Sequence, residues 1–380
     1  MLLTQDAQAR VVTRRLPLID LFKALGCVLI VLHHLAFYGP MSDVVMQQWP
    51  AMINALAEHG RLAVQLFLVC SGYLTAQSLS RSQALEFGQM LRLSLRRYLR
   101  LSVTLLLALA FTVLVSEALR LVFDHHSLSD MPTWPQALAH VFFMQHLLGM
   151  PALSVGVWYV AIDLQLYVIT LVSLWGVAVF CRSRPDWRPE VLRIQVWLVL
   201  TALSLLWWNL REGLDDYAIY FFGAYGMGLL AWRARQSRLP LKGWIGLLLL
   251  GLLALEVDSR LRVATAWAAG LLLAAAPERW MQTPVAASLL QRGIAWLADR
   301  SYAVFLIHFA ISLLVNAGVT ALWPDEVWPN ALGMVGCVLL SILAGALLQR
   351  LCRNSQGLQG WALAVGVFMA STGLARLMSG

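Results

Sequence analysis

Polar residues along this chain come in short bursts, and long apolar runs lie between them. The runs fall at 17–37, 61–80, 101–123, 155–180, 192–210, 216–232, 243–258, 261–276, 300–323, 328–350 and 361–375. Most hold about 17 to 25 residues, enough for an α-helix rising ~1.5 Å per residue to cross a hydrocarbon core of ~30 Å. The last run is the weakest, because Ser371, Thr372 and Gly373 interrupt it. No segment alternates apolar and polar residues as the wall of a membrane barrel does. The pattern predicts an all-α fold, a polytopic transmembrane helical bundle of about 10–11 spans, with residues 1–380 forming one domain.

Composition strengthens that reading. Sixty per cent of the residues are apolar, 13% are charged and the mean hydropathy is +0.70, too apolar for an ordinary soluble domain. The net charge of +8 matters through its distribution. With the N-terminus inside, 21 of the 28 basic residues fall in inside segments, among them Arg10, Arg14, Arg15, Arg81, Arg238 and Lys242. Six fall outside: Arg61, Arg120, Arg211, Arg260, Arg262 and Arg376. Such a bias orients the chain with its N-terminus on the cytoplasmic side. Basic residues scattered over six loops make a poor nucleic-acid footprint. The first run is too long and too polar for a cleavable signal. The five cysteines show neither metal-ligand spacing nor an outside pair, so packing is their expected role and no metal is expected.

Ionisable groups inside a membrane are costly and commonly line a cavity or a pathway. The first run, "LIDLFKALGCVLIVLHHLAFYG", carries Lys23, His33 and His34; the fourth carries Asp163 and the ninth His308. Eleven residues separate Lys23 from His34, about 16 Å along a helix and close to three full turns, so the two share a face. His33 points elsewhere. Asp163 falls in the outer half of a descending span, at roughly the depth of His34, where a carboxylate could orient the imidazole. In "LRLSLRRYLRLS", Arg97 and Arg100 share a face at the inner end of the third run. That pair fits plain positive-inside anchoring, or a site where guanidinium forks hold phosphate.

Five elements, in order from residue 18 to 309, together resemble the membrane-bound acyltransferase family 3. They are Lys23 with its ten-residue spacer and His34, the Phe-x-x-x-Ser-Gly of "GRLAVQLFLVCSGYL", and the pair Arg97 and Arg100. The fourth is "VWYVAIDLQLYVI", with Trp158, Asp163, Gln165 and Tyr167; the fifth is "SYAVFLIHF", with Ser301, Tyr302, Phe305, Leu306 and His308. Lys23 stands where arginine is more usual, Asp163 where glutamate is, and Val103 where a proline often follows the arginines. The resemblance implies the stand-alone form, in a cytoplasmic (inner) membrane and without an extracytoplasmic hydrolase-like domain.

The resemblance implies transfer of an acyl group, with acetyl the expected one, from cytoplasmic acyl-CoA to a carbohydrate or glycolipid acceptor at the outer side. Acyl-CoA is a co-substrate, and no other cofactor is implied. The implied catalytic residues are His34 and Asp163, and Lys23, Arg97 and Arg100 would bind the donor. His308, Tyr302, Ser71 and Tyr167 would support them. His34 would act as general base or carry the acyl group itself. Buried Lys, His and Asp would also suit a proton-coupled transporter or flippase, although no paired halves with broken helices are visible.

The outside segment from Asp124 to Trp158 is the longest of its kind. Its "WPQALAHVFFMQHLLGM" reads as a short amphipathic helix with aromatic anchors, or as a lid over a channel mouth. On the lid reading Trp134, Trp158 and Tyr159 present rings to a sugar, and His140 and His146 supply hydrogen bonds.

Overall fold

The computed structural model describes residues 15–80, 85–123, 125–236, 240–281, 288–355 and 357–378. Arg10, Arg14, Arg81, Asp124, Arg238 and the side chain of Lys242 lie outside the described residues. Among those described there are fifteen α-helices and no strand. In chain order they are α1 (Pro17–Tyr38), α2 (Pro40–Met46), α3 (Pro50–His59), α4 (Ala63–Ser78), α5 (Phe87–Arg120), α6 (Trp134–Val141), α7 (Val157–Ser183) and α8 (Pro189–Leu206). There follow α9 (Ala218–Gln236), α10 (Pro240–Val257), α11 (Leu261–Ala275), α12 (Glu278–Met281), α13 (Leu289–Leu322), α14 (Val327–Cys352) and α15 (Leu358–Met378).

A helix covers each of the eleven apolar runs. Seven of the helices are long and apolar enough to cross a membrane: α1, α5, α7, α8, α13, α14 and α15, the last despite its polar triplet. α10 and α11 are apolar but shorter. The chain is a multi-pass, all-α membrane protein. Its helices start where local chemistry allows. Pro17, Pro40, Pro50 and Pro189 occupy first-turn positions, where the missing N–H costs nothing. Capping boxes open α5 (Glu86 with Gln89), α6 (Thr133 with Gln136) and α13 (Ser288 with Gln291).

α5 and α13 each hold 34 residues, so each is about 51 Å long and outruns the hydrocarbon core by about 20 Å. The surplus lies ahead of the runs read from the sequence, because the arginine-rich stretches continue the helix instead of breaking it. Arg97 and Arg100 therefore stand on α5 itself, and Trp296 and Asp299 on α13.

Two packings position the site. α1 and α13 run parallel, in a register marked by cross-links at successive heights. Cys27 Sγ lies 3.8 Å from the Ser301 carbonyl and His34 pairs with His308; just past α1, the Met41 N–H of α2 donates to Asn316 Oδ1 at 3.2 Å. Seven residues on α1 thus match seven on α13 between the first two. α4 and α9 touch through their backbones: a Cβ at Gly72 would strike the Tyr225 carbonyl, and one at Gly228 the Val69 carbonyl. That gives the Ser-Gly pair of α4 its physical meaning. Gly72 admits α9, and its neighbour Ser71 turns toward α7.

Candidate active site

A cavity of about 1310 Å³ opens at the end of the bundle that holds the C-terminus of α1 and the N-terminus of α7. Ile30, His34, Ile162 and Phe305 line its inner part, and residues at or near helix ends, such as Glu58, Arg61, Asp215 and Arg262, line it as well. Gly156, at the start of α7, helps to shape the wall. Its φ of +86° suits glycine, and a Cβ there would come within 2.8 Å of the Phe305 ring.

His34 and His308 are both buried, at 6% and 0% exposure. Their rings stack with centroids 4.9 Å apart and planes 9° apart, and His34 Nδ1 lies 2.7 Å from His308 Nε2. The partners assign the protons. His308 Nδ1 lies 2.7 Å from the Phe305 carbonyl, which only accepts, so that nitrogen carries the hydrogen. With both rings neutral, His308 Nε2 then accepts and His34 Nδ1 donates. His34 Nε2 is left with its lone pair, and His34 lines the cavity. The chain from Phe305 through His308 to His34 is a hydrogen-bonded relay that fixes the His34 tautomer. His33 also lines the cavity, and its Nδ1–H donates to the Leu56 carbonyl at 3.1 Å.

The pairing of Asp163 with His34 does not form. Asp163 accepts from Ser71 Oγ at 2.5 Å through one oxygen and from Arg97 Nη2 at 2.6 Å through the other. Arg97 also donates to Ser71 Oγ at 3.1 Å, and its guanidinium lies 4.6 Å from the Tyr167 ring centroid. The reason is angular. Asp163 follows the cavity-lining Ile162 by one residue, about 100° around α7, and so faces the bundle interior. Arg97 is corrected in the same stroke: its side chain, 23% exposed, extends into the bundle from the outrunning part of α5. Arg100, one turn further along, is exposed.

The remaining expectations divide. Trp158 lines the cavity and packs on Phe221 at 5.3 Å. Tyr159 turns its ring to Phe67 and Phe305 instead. Tyr302 spends its hydroxyl on the Leu101 carbonyl at 2.8 Å, a tie between α13 and α5. Lys23, half-buried on α1, lies outside the cavity lining. Among the described residues of the outer segment ahead of α7, only Trp134–Val141 is α-helical. Trp134 packs beside Gly373 of α15 and does not reach the cavity. His140 cannot serve a sugar, because Nδ1–H donates to the Gln136 carbonyl at 2.8 Å and Nε2 accepts the Leu153 N–H at 3.1 Å. Burial pushes its pKa down to about 4. His146 does line the cavity, 3.5 Å from Asp216.

The sequence reading missed Gln65, Tyr220, Asp215 and Asp216, which line the cavity from separate loops and helices. One signal was present. Arg61, Arg260 and Arg262 are three of the six basic residues that break the inside bias, and all three line this cavity. Arg260 is consumed in holding Asn209. Arg262 lies 4.8 Å over the Tyr220 ring. Among the described residues no cluster of His, Cys, Asp or Glu could hold a metal ion.

A buried imidazole held by a hydrogen-bonded partner thus faces the open end of a membrane bundle. The family model for an acyltransferase domain matches residues 16–350. The chain belongs to acyltransferase family 3 and is an acyltransferase. No curated protein and no solved structure matches it.

Proposed function

We propose that this enzyme moves an acetyl group from cytoplasmic acetyl-CoA to a hydroxyl of a carbohydrate or glycolipid acceptor at the outer side of the inner membrane. The observation that carries the reading is the relay ending on His34 Nε2 in a cavity of about 1310 Å³, far larger than a lone acyl group needs. His34 Nε2 takes the proton of the acceptor hydroxyl as its oxygen attacks the thioester carbonyl. The C–S bond breaks, the thiolate leaves and recovers a proton, and an ester and free CoA result. His308 holds His34 in the productive tautomer and spreads the imidazolium charge that forms. Asp163 takes no part in proton transfer on this reading; with Arg97 and Ser71 it braces α4, α5 and α7 beneath the cavity. Arg100 and Lys23 meet the donor, Arg100 at its phosphates and Lys23 along the pantetheine arm. Trp158 and Tyr220 offer flat faces to sugar rings, and Arg61, Arg262 and Asp215 supply polar contacts at the mouth.

Purified protein in nanodiscs, given radiolabelled acetyl-CoA and a panel of short oligosaccharides, tests this reading. Label should pass to the saccharide in the wild type and Arg100→Gln should raise the KM for acetyl-CoA alone. Hydrolysis of acetyl-CoA without any labelled saccharide, across the panel, would overturn the acceptor assignment.

A further inference from the structure

A second cavity, of about 700 Å³, lies at the opposite end of α1. It is bounded by the first turns of α1, by α12 and by the outrunning part of α13. A third, of about 750 Å³, shares Trp296, Asp299 and Arg300 with it and reaches α14. Among the described residues six arginines line the two together, Arg15, Arg279, Arg292, Arg300, Arg350 and Arg353, against the acids Asp20 and Asp299. The acids are already engaged: Arg15 donates to Asp299 at 2.5 Å and lies 3.7 Å from Asp20. Arg300 is stacked on the Trp296 ring at 4.1 Å. Arg279 and Arg292 are exposed, and among the described residues their side chains make no hydrogen bond or ion pair.

We propose that this double cleft is a binding site for an anionic phospholipid of the adjoining leaflet. The ligand chemistry is a phosphodiester held by guanidinium forks. Two observations select a lipid over a soluble phosphate compound. The wall of the cleft on α1 is Leu18 and Leu21, and Leu21 and Leu25, 42% and 48% exposed, continue as an apolar strip along a membrane-spanning helix. Acyl chains can lie on that strip while the headgroup stays among the arginines. Trp280 and Trp296, 48% and 42% exposed, stand at the same end, where indoles favour the boundary between hydrocarbon and headgroups. A polar nucleotide has no use for the leucine strip. The site is built from α1, the helix of His34, and α13, the helix of His308, so an occupant would clamp together the two helices whose register makes the relay. This last consequence rests on the function proposed above; lipid binding does not.

Native mass spectrometry of the full-length protein, released from nanodiscs containing phosphatidylglycerol and phosphatidylcholine, reads the site. The cleft variant is Arg279→Gln/Arg292→Gln. The control is Arg182→Gln/Arg184→Gln, which removes equal charge from elsewhere on the basic segments. Wild type and control should retain phosphatidylglycerol in preference to phosphatidylcholine, and the cleft variant should lose about tenfold of that preference. Added CoA should leave the bound lipid in place. Equal retention by all three proteins would reduce the arginines to general anchoring and overturn the proposal. Displacement of the lipid by CoA would reassign the cleft to a nucleotide. Either result can occur with acyl transfer intact, so the lipid site and the enzymatic reading fail independently.

Discussion

His34 Nδ1 and His308 Nε2 are 2.7 Å apart, on helices that run side by side in the same direction. Neither residue could hold this geometry alone. The carbonyl of Phe305 sets the tautomer of His308, and His308 sets that of His34.

The relay makes His34 and His308 unequal in a measurable way. His34→Ala should lower kcat by about 10²- to 10⁴-fold, the usual worth of a general base. His308→Leu should cost less, on the order of tenfold to a hundredfold, and His308→Gln should recover part of it, since an amide oxygen can accept from Nδ1. KM for both substrates should hold. His33→Ala should keep much of the activity. Equal losses at His33 and His34, measured by acyl transfer with purified protein, would contradict the assignment.

Arg97 and Asp163 form a largely buried ion pair, with side chains 23% and 8% exposed. Removing one partner leaves the other charged and unmatched, at a cost of about 3–5 kcal/mol. Arg97→Met and Asp163→Leu should each lower the unfolding temperature sharply in detergent, and the double variant should recover most of the loss. Additive losses in this cycle would mean the two side chains are not coupled.

Trp158 and Trp134 separate the cavity from the outer segment as a whole. Trp158→Ala should raise the acceptor KM by about threefold to tenfold, as loss of an aromatic platform does, and leave that for acetyl-CoA in place. Trp134→Ala, beside Gly373, should change neither constant. A shift in both constants for Trp158→Ala would move the acceptor elsewhere.

His140 gives the outer segment a pH dependence. Its pKa falls from an ordinary 6.5 to about 4 in the folded chain, so between those values the unfolded segment binds more protons than the folded one. The local stability it contributes is complete above about pH 6.5 and is lost as pH falls toward 4. Opening measured by hydrogen exchange at the Leu153 amide, corrected for intrinsic rates, should increase over that window in the wild type. His140→Gln should flatten the response.

How much of this was legible beforehand differs by element. The eleven helices were, because each lies on an apolar run that the chain displays openly, and seven of them are long and apolar enough to cross a membrane. The extra turns of α5 and α13 were not, because arginines inside a helix look the same in sequence as arginines in a loop. The shared face of Lys23 and His34 followed from helical geometry within one segment, as did the separation of His33. Residues brought together from different segments carried no such regularity.

The sequence by itself determined the class and the bias of basic residues, and it singled out His34 as a candidate. Those depend on composition, spacing within a helix and the high cost of charge in lipid, all of which are local. Only the tertiary structure decided the partners. Depth along a span placed Asp163 near His34, but one residue of helix is about 100° of rotation, and that rotation hands the carboxylate to Arg97 and Ser71. The same angular choice, made by the parallel packing of α1 on α13, hands His34 to His308, 274 residues away in the chain.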